Sequence, residues 1–265
     1  INAIILFFIA LGMLLLKKNR NIAAGVLFAL ATVIKLTPIV IIIPLILKRK
    51  YVAVFVMLLA VLMLNIFSVI YIFDFKFVMD YYFSHLPQLF QRGMFDNPYN
   101  LSFHSLFQRL ILLGNGYSTP LAFFSNIKYA VLLSTILIKI TITCIWLISF
   151  YFIFKYYQFN DLEYLIALIL TTALITANIA WEHHYIILTI AFCASLLKIS
   201  SADLEDLRFK ILLILLAICF AVISAKIGYD NRFLLIGWRN ILVSIKLYCA
   251  VILWGILLCL LQKIK

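Results

Sequence analysis

Acidic side chains are scarce in this chain: Asp and Glu together number 10 among 265 residues, against 22 Lys and Arg. A general base therefore has few places to come from. Charged residues of both signs make up only 12% of the sequence and hydrophobic residues 66%, with a mean hydropathy of +1.16. Apolar runs long enough to cross a bilayer recur from end to end, the mark of a polytopic helical membrane protein. The five cysteines, Cys144, Cys193, Cys219, Cys249 and Cys259, all lie in apolar segments and show no CxxC or other ligand spacing; they read as packing residues, and disulfides are not expected. The first apolar segment, residues 1–16, has no basic n-region and no small-residue cleavage site, so it is not read as a signal peptide. Because the chain opens on Ile1 and not on Met, the expectation is a fragment lacking its N-terminal part.

What is present is basic, with a net charge of +12. In a soluble domain this would suggest nucleic acid. Here the cations sit in short clusters between apolar runs, the pattern of cytoplasmic loops. With about 20 residues per span and basic flanks placed inside, one topology satisfies nearly every loop. Residues 1–16 run inward to Lys17-Lys18-Asn19-Arg20. Residues 51–73 run outward to a long amphipathic loop at 74–127, and 128–154 return. Segments 162–180 and 185–197 go out and back, as do 211–227 and 241–261. The whole of 1–265 reads as a single transmembrane domain of about nine membrane segments.

Residues 21–47 are the informative case. As one straight helix they would measure roughly 40 Å and put two basic clusters, 17–20 and 48–50, on opposite faces. Pro38 lacks an amide hydrogen and disfavours α geometry at Thr37, so a break is expected there. The result is a short broken pair, 22–34 and 39–47, meeting near the outer face. Each limb is too short for a bilayer of about 30 Å and needs neighbouring helices around its turn. The same reasoning puts Trp181-Glu182-His183-His184 at an outer turn. Lys35, residues 97–109, residues 181–184 and residues 230–239 are then expected on one side of the membrane. On that side the acids are Asp74, Asp80, Asp96, Glu182 and Asp230, the pool from which any outer-face base of this chain must be drawn.

Each polar feature has a bland reading beside the chemical one. Lys35 could snorkel to an interface. Snorkelling residues usually flank spans, however, and Lys35 stands beside Thr37 and Pro38, where freed backbone donors and an ammonium could together hold an oxyanion. From Ser102 onward, Leu106, Leu110 and Leu113 recur at helical spacing, as in an interfacial amphipathic helix; Asn97, Asn100 and Arg109 are otherwise contacts for sugar hydroxyls and phosphate. Adjacent histidines on a helix point about 100° apart. His183 and His184 are thus poor joint ligands for one metal ion, HExxH spacing is absent, and no metal is expected. One imidazole beside Glu182 could bind phosphate or shuttle a proton, and Trp181 offers a face to a sugar ring. Lys139 and Lys246 lie within spans, where packing against a neighbour is the default reading.

Ala23-Ala24-Gly25-Val26-Leu27-Phe28-Ala29-Leu30-Ala31-Thr32-Val33-Ile34-Lys35-Leu36-Thr37-Pro38, followed by a basic cluster, resembles the AG-L-LAL-AT-KLTP signature of glycosyltransferase family 87. Asn100-Leu101-Ser102 with Arg109 downstream is similar to its NxS…R block, and Trp181-Glu182-His183-His184 to its SW-D/E-HH block. The order and spacing agree, and the resemblance covers most of the chain. At 177–180 the chain has Ala-Asn-Ile-Ala where the family usually has Ser-Pro-Ile-Ser, a departure that bears on the local turn and on any hydroxyl contact there.

The resemblance implies a GT-C-like, all-α membrane fold and inverting transfer of a hexose, mannose being the best-known donor sugar, from a polyprenyl-phosphate carrier. The acceptor would be a lipid or glycan at the extracytoplasmic face of the plasma membrane, in the service of the cell envelope. It implies no cofactor beyond the lipid-linked donor, and no nucleic acid. It also implies a catalytic Asp in a first outer loop, expected upstream of Ile1 together with about three helices. The departing phosphate would be stabilised by Lys35 and by His183 or His184, with Arg109 in support; Thr37, Asn97, Asn100, Ser102 and Trp181 complete the candidate lipid-phosphate and sugar contacts, and Glu182, His183 and His184 the catalytic candidates. The rival reading is a transporter or flippase of lipid-linked intermediates, which would also use a broken segment and buried cations. It predicts repeat-related pairs of breaks, and the surroundings of Pro38 and Trp181 share no sequence similarity. A polymerase or ligase of lipid-linked glycans is the remaining alternative.

Overall fold

The structure is a computed structural model that describes residues 1–72, 75–85, 88, 99–111, 127–159, 161–200, 206–227 and 237–262. Among these the regular structure is helical, with a single isolated β-bridge between Asn100 and Trp181. The chain divides into two compact units, residues 1–93 with 161–170 and residues 94–160 with 171–265.

The first unit begins with α1 (Asn2–Lys17) and α2 (Asn21–Ile34), continues through a 3-10 helix, Thr37–Ile41, into α3 (Ile42–Leu47), and then α4 (Tyr51–Ile72). Both basic clusters form the same reversal. Asn19 and Arg49 each take φ 55. Asn19 N donates to Leu16 O (3.0 Å) and Arg20 N to Leu15 O (2.9 Å), and Arg49 N to Ile46 O (2.9 Å) and Lys50 N to Leu45 O (2.8 Å). This is the left-handed Schellman closure of a helix C-terminus, and the cations around it complement the negative end of the helix dipole. The two turns lie together, since Lys50 Nζ donates to Asn19 Oδ1 at 3.4 Å. Lys17 pairs with Glu163 at 3.2 Å at the same end. One straight helix through 21–47 is thereby excluded: α2 leaves the basic end, and the 3-10 helix and α3 return to it.

The break falls slightly earlier than the proline suggested. Lys35 is the extended residue (φ −153, ψ 127), Leu36 is already helical, and Pro38 sits in the first turn of the 3-10 helix, where a missing amide hydrogen costs nothing. At 1.5 Å per residue α2 carries Lys35 about 20 Å from the basic turns. The packing of α2 depends on small residues: Ala24, Gly25, Ala29 and Ala31 are buried with Phe28 and Thr32. A methyl on Gly25 would lie 2.7 Å from the Ala53 carbonyl oxygen, and one on Gly12 would lie 2.6 Å from the Phe28 ring. The Ala53 contact is with α4 backbone, which cannot swing away. Gly25→Ala is expected to lower stability by about 1–3 kcal/mol, read as a fall in the thermal midpoint of the purified protein; an unchanged midpoint would contradict the close approach.

The second unit is built on the helix Ile245–Leu261. In the apolar stretch Ile241–Leu261 56% of the residues are buried, and in Glu182–Ser200 50%, whereas Val131–Phe159 and Leu207–Ser224 bury 17% and 11%. The first two face protein and the last two present apolar side chains outward. Polar contacts join the buried faces: Trp254 Nε1 donates to Ser149 Oγ (2.9 Å), which meets Thr172 Oγ1 at 2.9 Å. Such small-residue hydrogen bonds hold apolar helices where the hydrophobic effect offers little. The helix Leu207–Ser224 starts before the expected residue 211 because the Asp206 carboxylate accepts from Arg208 N at 2.8 Å and caps it.

Among the described residues five helices are long and apolar enough to cross a membrane, and four apolar helices of 10–17 residues accompany them, Thr37–Leu47 among these. The five support a multi-pass protein; the expected count of about nine segments includes the shorter four. The expected outer loop at 74–127 holds, among the described residues, the helices Phe75–Asp80 and Phe103–Ile111 and a π-helical turn at Tyr81–His85. All five cysteines are free thiols.

Candidate functional site

Lys35 and Thr37 belong to the first unit. Extended backbone at Lys35 turns its side chain out of the α2 register, and the residue is half-buried. Among the described residues no carboxylate or other acceptor pairs with its ammonium. Thr37 is half-buried at the start of the 3-10 turn.

The second unit gathers the remaining candidates, apart from Asn97, which lies outside the described residues. Asn100 and Ser102 are fully buried (0% exposed each), and their partners are backbone atoms of the segment before Trp181. Ala180 N donates to Asn100 Oδ1 (3.0 Å), Asn100 Nδ2 donates to Asn178 O (3.4 Å), and Ser102 Oγ donates to Asn178 O (2.9 Å). Leu101 N donates to Ala180 O (2.8 Å), and Tyr185 Oη donates to Leu101 O (2.8 Å). An Asn side chain that both donates to and accepts from one backbone segment fixes that segment in place. This lacing also accounts for the departure at 177–180: the turn is held by side chains from 100–102 and needs no hydroxyls of its own.

Arg109 is 7% exposed and sits on the inner side of the helix Phe103–Ile111 beside Ser105, Leu106 and Ile111. Its guanidinium donates to Asn100 O (3.0 Å), to Ser105 Oγ and to Ser244 Oγ (2.6 Å). The sequence pattern offers Arg109 as a phosphate or sugar contact, with a solvated helix face as the plain alternative; the fork turns inward and braces the 100–102 segment. His104, on the same helix, has its imidazole pushed below the ordinary histidine range by burial.

These contacts hold a 3-10 turn, Glu182–Leu188, with Trp181 at its N-cap. Trp181 N donates to His184 Nδ1 (3.3 Å) and His184 N donates to Trp181 O (2.8 Å), so the turn closes on itself as a capping box does. With Nδ1 accepting, the neutral His184 imidazole carries its proton on Nε2. His183 is exposed and stacks on Trp181, with ring centroids 6.3 Å apart and 19° between planes. The two imidazoles stand edge to face, 4.6 Å apart at 88°. Two differently aimed rings give one flat aromatic surface and one ring anchored to backbone.

Glu182 is part-exposed, and its Oε1 is held by Lys246. Lys246 is 1% exposed and is the residue that sequence reasoning assigned to packing. A signal was available: an ammonium inside an apolar span requires an acceptor, and Glu182 is the acid set between two apolar limbs.

The profile of glycosyltransferase family 87 matches residues 1–220. No curated protein and no solved structure matches the chain.

Proposed function

Because the chain belongs to glycosyltransferase family 87, we propose that it transfers a hexose, mannose first among the candidates, from a polyprenyl-phosphate carrier to a lipid or glycan acceptor at the outer face of the plasma membrane. The acceptor oxygen forms the new bond to the anomeric carbon as the bond to the carrier phosphate breaks. The bonding electron pair leaves on the phosphate, and the acceptor proton passes to a carboxylate base. With its Oε1 held by Lys246, Glu182 is assigned to holding the turn, and the base is assigned to an aspartate, as the family resemblance implies. The four shorter apolar helices complete about nine membrane segments in this reading, the α2–α3 pair entering from the basic side and returning to it.

The observation that carries the reading is a contrast among three cations. Lys246 is buried with three protein acceptors on its ammonium, and Arg109 is buried with both terminal guanidinium nitrogens donating to protein oxygens. Lys35, at the end of the best-matched motif, is half-buried and has no partner among the described residues. Desolvating an ammonium without an anion is costly, and a lipid phosphate is the anion that a glycosyl carrier brings. Separately, the Trp181–His183 stack is assigned to a sugar ring, and His184 Nε2 to phosphate or hydroxyl oxygen; the reaction as written uses these side chains and calls on no metal.

Membranes carrying the protein, given a panel of polyprenyl-phosphate sugars and lipid acceptors, are expected to release polyprenyl phosphate as glycoside accumulates. Movement of the intact lipid-linked sugar across the bilayer without cleavage would replace this reading by the transporter one.

A further inference from the structure

We propose that the segment beyond the family match completes the site: Lys246 and Ser244 act as positioning residues, one for the Trp181–His184 turn and the other for Arg109. The match ends at residue 220. All the contacts at issue come from beyond it or reach back across it within the second unit.

A lysine ammonium has three hydrogens to donate, and Lys246 has three acceptors. They are Glu182 Oε1, Ile223 O at 2.9 Å and Ala225 O at 2.5 Å. The two carbonyls close the helix Leu207–Ser224, whose C-cap Ala225 is extended (φ −64, ψ 138). Carbonyls at a helix C-terminus lack intrahelical partners and carry the negative end of the dipole. One buried ammonium therefore caps that helix and grips the first residue of the 182–188 turn. With the charge satisfied on all sides, its burial is tolerable and the geometry has little freedom. Two residues earlier, Ser244 Oγ accepts from Arg109 at 2.6 Å, and Arg109 braces the strand at 100–102. Residues 244–246 thus tie down both motif blocks of the second unit, the NxS…R strand through Ser244 and the tryptophan–histidine turn through Lys246.

The consequence for the reaction is indirect. Neither residue is placed against substrate. Lys246 fixes the turn from which the Trp181, His183 and His184 rings project, and Ser244, through Arg109, fixes the 100–102 segment laced to the backbone just before that turn; loss of such outer support typically costs 10- to 100-fold in metal sites, the nearest measured analogue. This assignment rests on the proposed transfer reaction.

The test compares Lys246→Met, the charge-neutral pair Glu182→Gln/Lys246→Met, and Ser244→Ala in the whole protein reconstituted in nanodiscs. Transfer is normalised to folded, monodisperse protein. Lys246→Met is expected to lower kcat by roughly 10- to 100-fold with KM for the lipid-linked donor changed less than threefold. The paired variant, free of an unmatched buried charge, is expected to regain the wild-type yield of folded protein but not its kcat. Ser244→Ala is expected to lower kcat several-fold. A merely structural role would reduce folded yield and leave kcat per folded molecule unchanged, and that result would overturn the proposal. A readout independent of transfer is acylation of His183 by diethylpyrocarbonate, expected to accelerate several-fold in Lys246→Met. Unchanged labelling would also overturn it. Wild-type protein that transfers no lipid-linked sugar would sink the functional reading alone, leaving labelling and folded yield to decide the role of Lys246.

Discussion

Replacing Lys35 by Ala lowers glycosyl transfer by on the order of 10²- to 10³-fold, the usual loss when one preorganised stabiliser of developing charge is removed, and leaves the thermal midpoint within a few degrees of wild type. The expectation follows from what surrounds the side chain. The Lys35 ammonium closes no hydrogen bond and no ion pair among the described residues, so truncating the side chain orphans no partner. It caps α2 through its backbone, with its amide donating to Ala31 O at 3.1 Å, a bond that Ala makes equally well. Stability and activity therefore separate at this position. Lys35→Arg is expected to recover part of the rate, because charge is restored while the compact ammonium is replaced by a planar fork of different reach. Transfer at the wild-type rate by Lys35→Ala would remove the phosphate assignment; a collapse in folded yield would show a structural role that the contacts give no reason to expect.

Arg109→Ala is expected to cost stability. Its guanidinium holds the Asn100 carbonyl at 3.0 Å and the Ser244 hydroxyl at 2.6 Å, and also meets Ser105 Oγ, at a position 7% exposed. Removal withdraws the guanidinium from three buried oxygens and empties the volume of a buried side chain. Hydrogen bonds to a charged group contribute about 1.5–3 kcal/mol each and do not add fully, so the expected loss is roughly 3–5 kcal/mol. Lys at 109 cannot reproduce three diverging donations from one rigid plane and is expected to recover less than half of that loss. Thermal or detergent-denaturation midpoints of the purified variants check both values. Loss of transfer in Arg109→Ala with an unchanged midpoint would instead make this residue a direct phosphate contact, as the sequence pattern had suggested.

The contrast between these two cations shows where sequence is informative and where it stops. The broken pair at 22–47 was legible because charge, length and proline each pointed to the same turn: two basic clusters wanting one face, limbs too short to span, and a residue without an amide hydrogen. Topology put the 100–102 and 181–184 blocks on one side of the membrane, but nothing local in Asn-Leu-Ser announces that its side chains lace the backbone before Trp181. The roles inside that cluster were not legible. Asn, Ser and Arg bond equally well to sugar, phosphate or backbone, and only three-dimensional proximity shows that Asn100 and Ser102 are spent on Asn178 and Ala180. Lys246 was hidden for a related reason, its partner standing 64 residues away. The exact helix ends at 34 and 207 depended on one extended residue and one capping carboxylate, both below the resolution of hydropathy.

The central claim is cleavage of the bond between the anomeric carbon and the carrier phosphate with inversion at the sugar, and the anomeric configuration of the product tests it most directly. Protein reconstituted with a polyprenyl-phosphate sugar of known β configuration should yield an α-glycoside, read by the anomeric coupling constant in proton NMR, with one polyprenyl phosphate released per glycoside formed. A β-glycoside product, or glycoside formed without release of the carrier phosphate, would contradict the account.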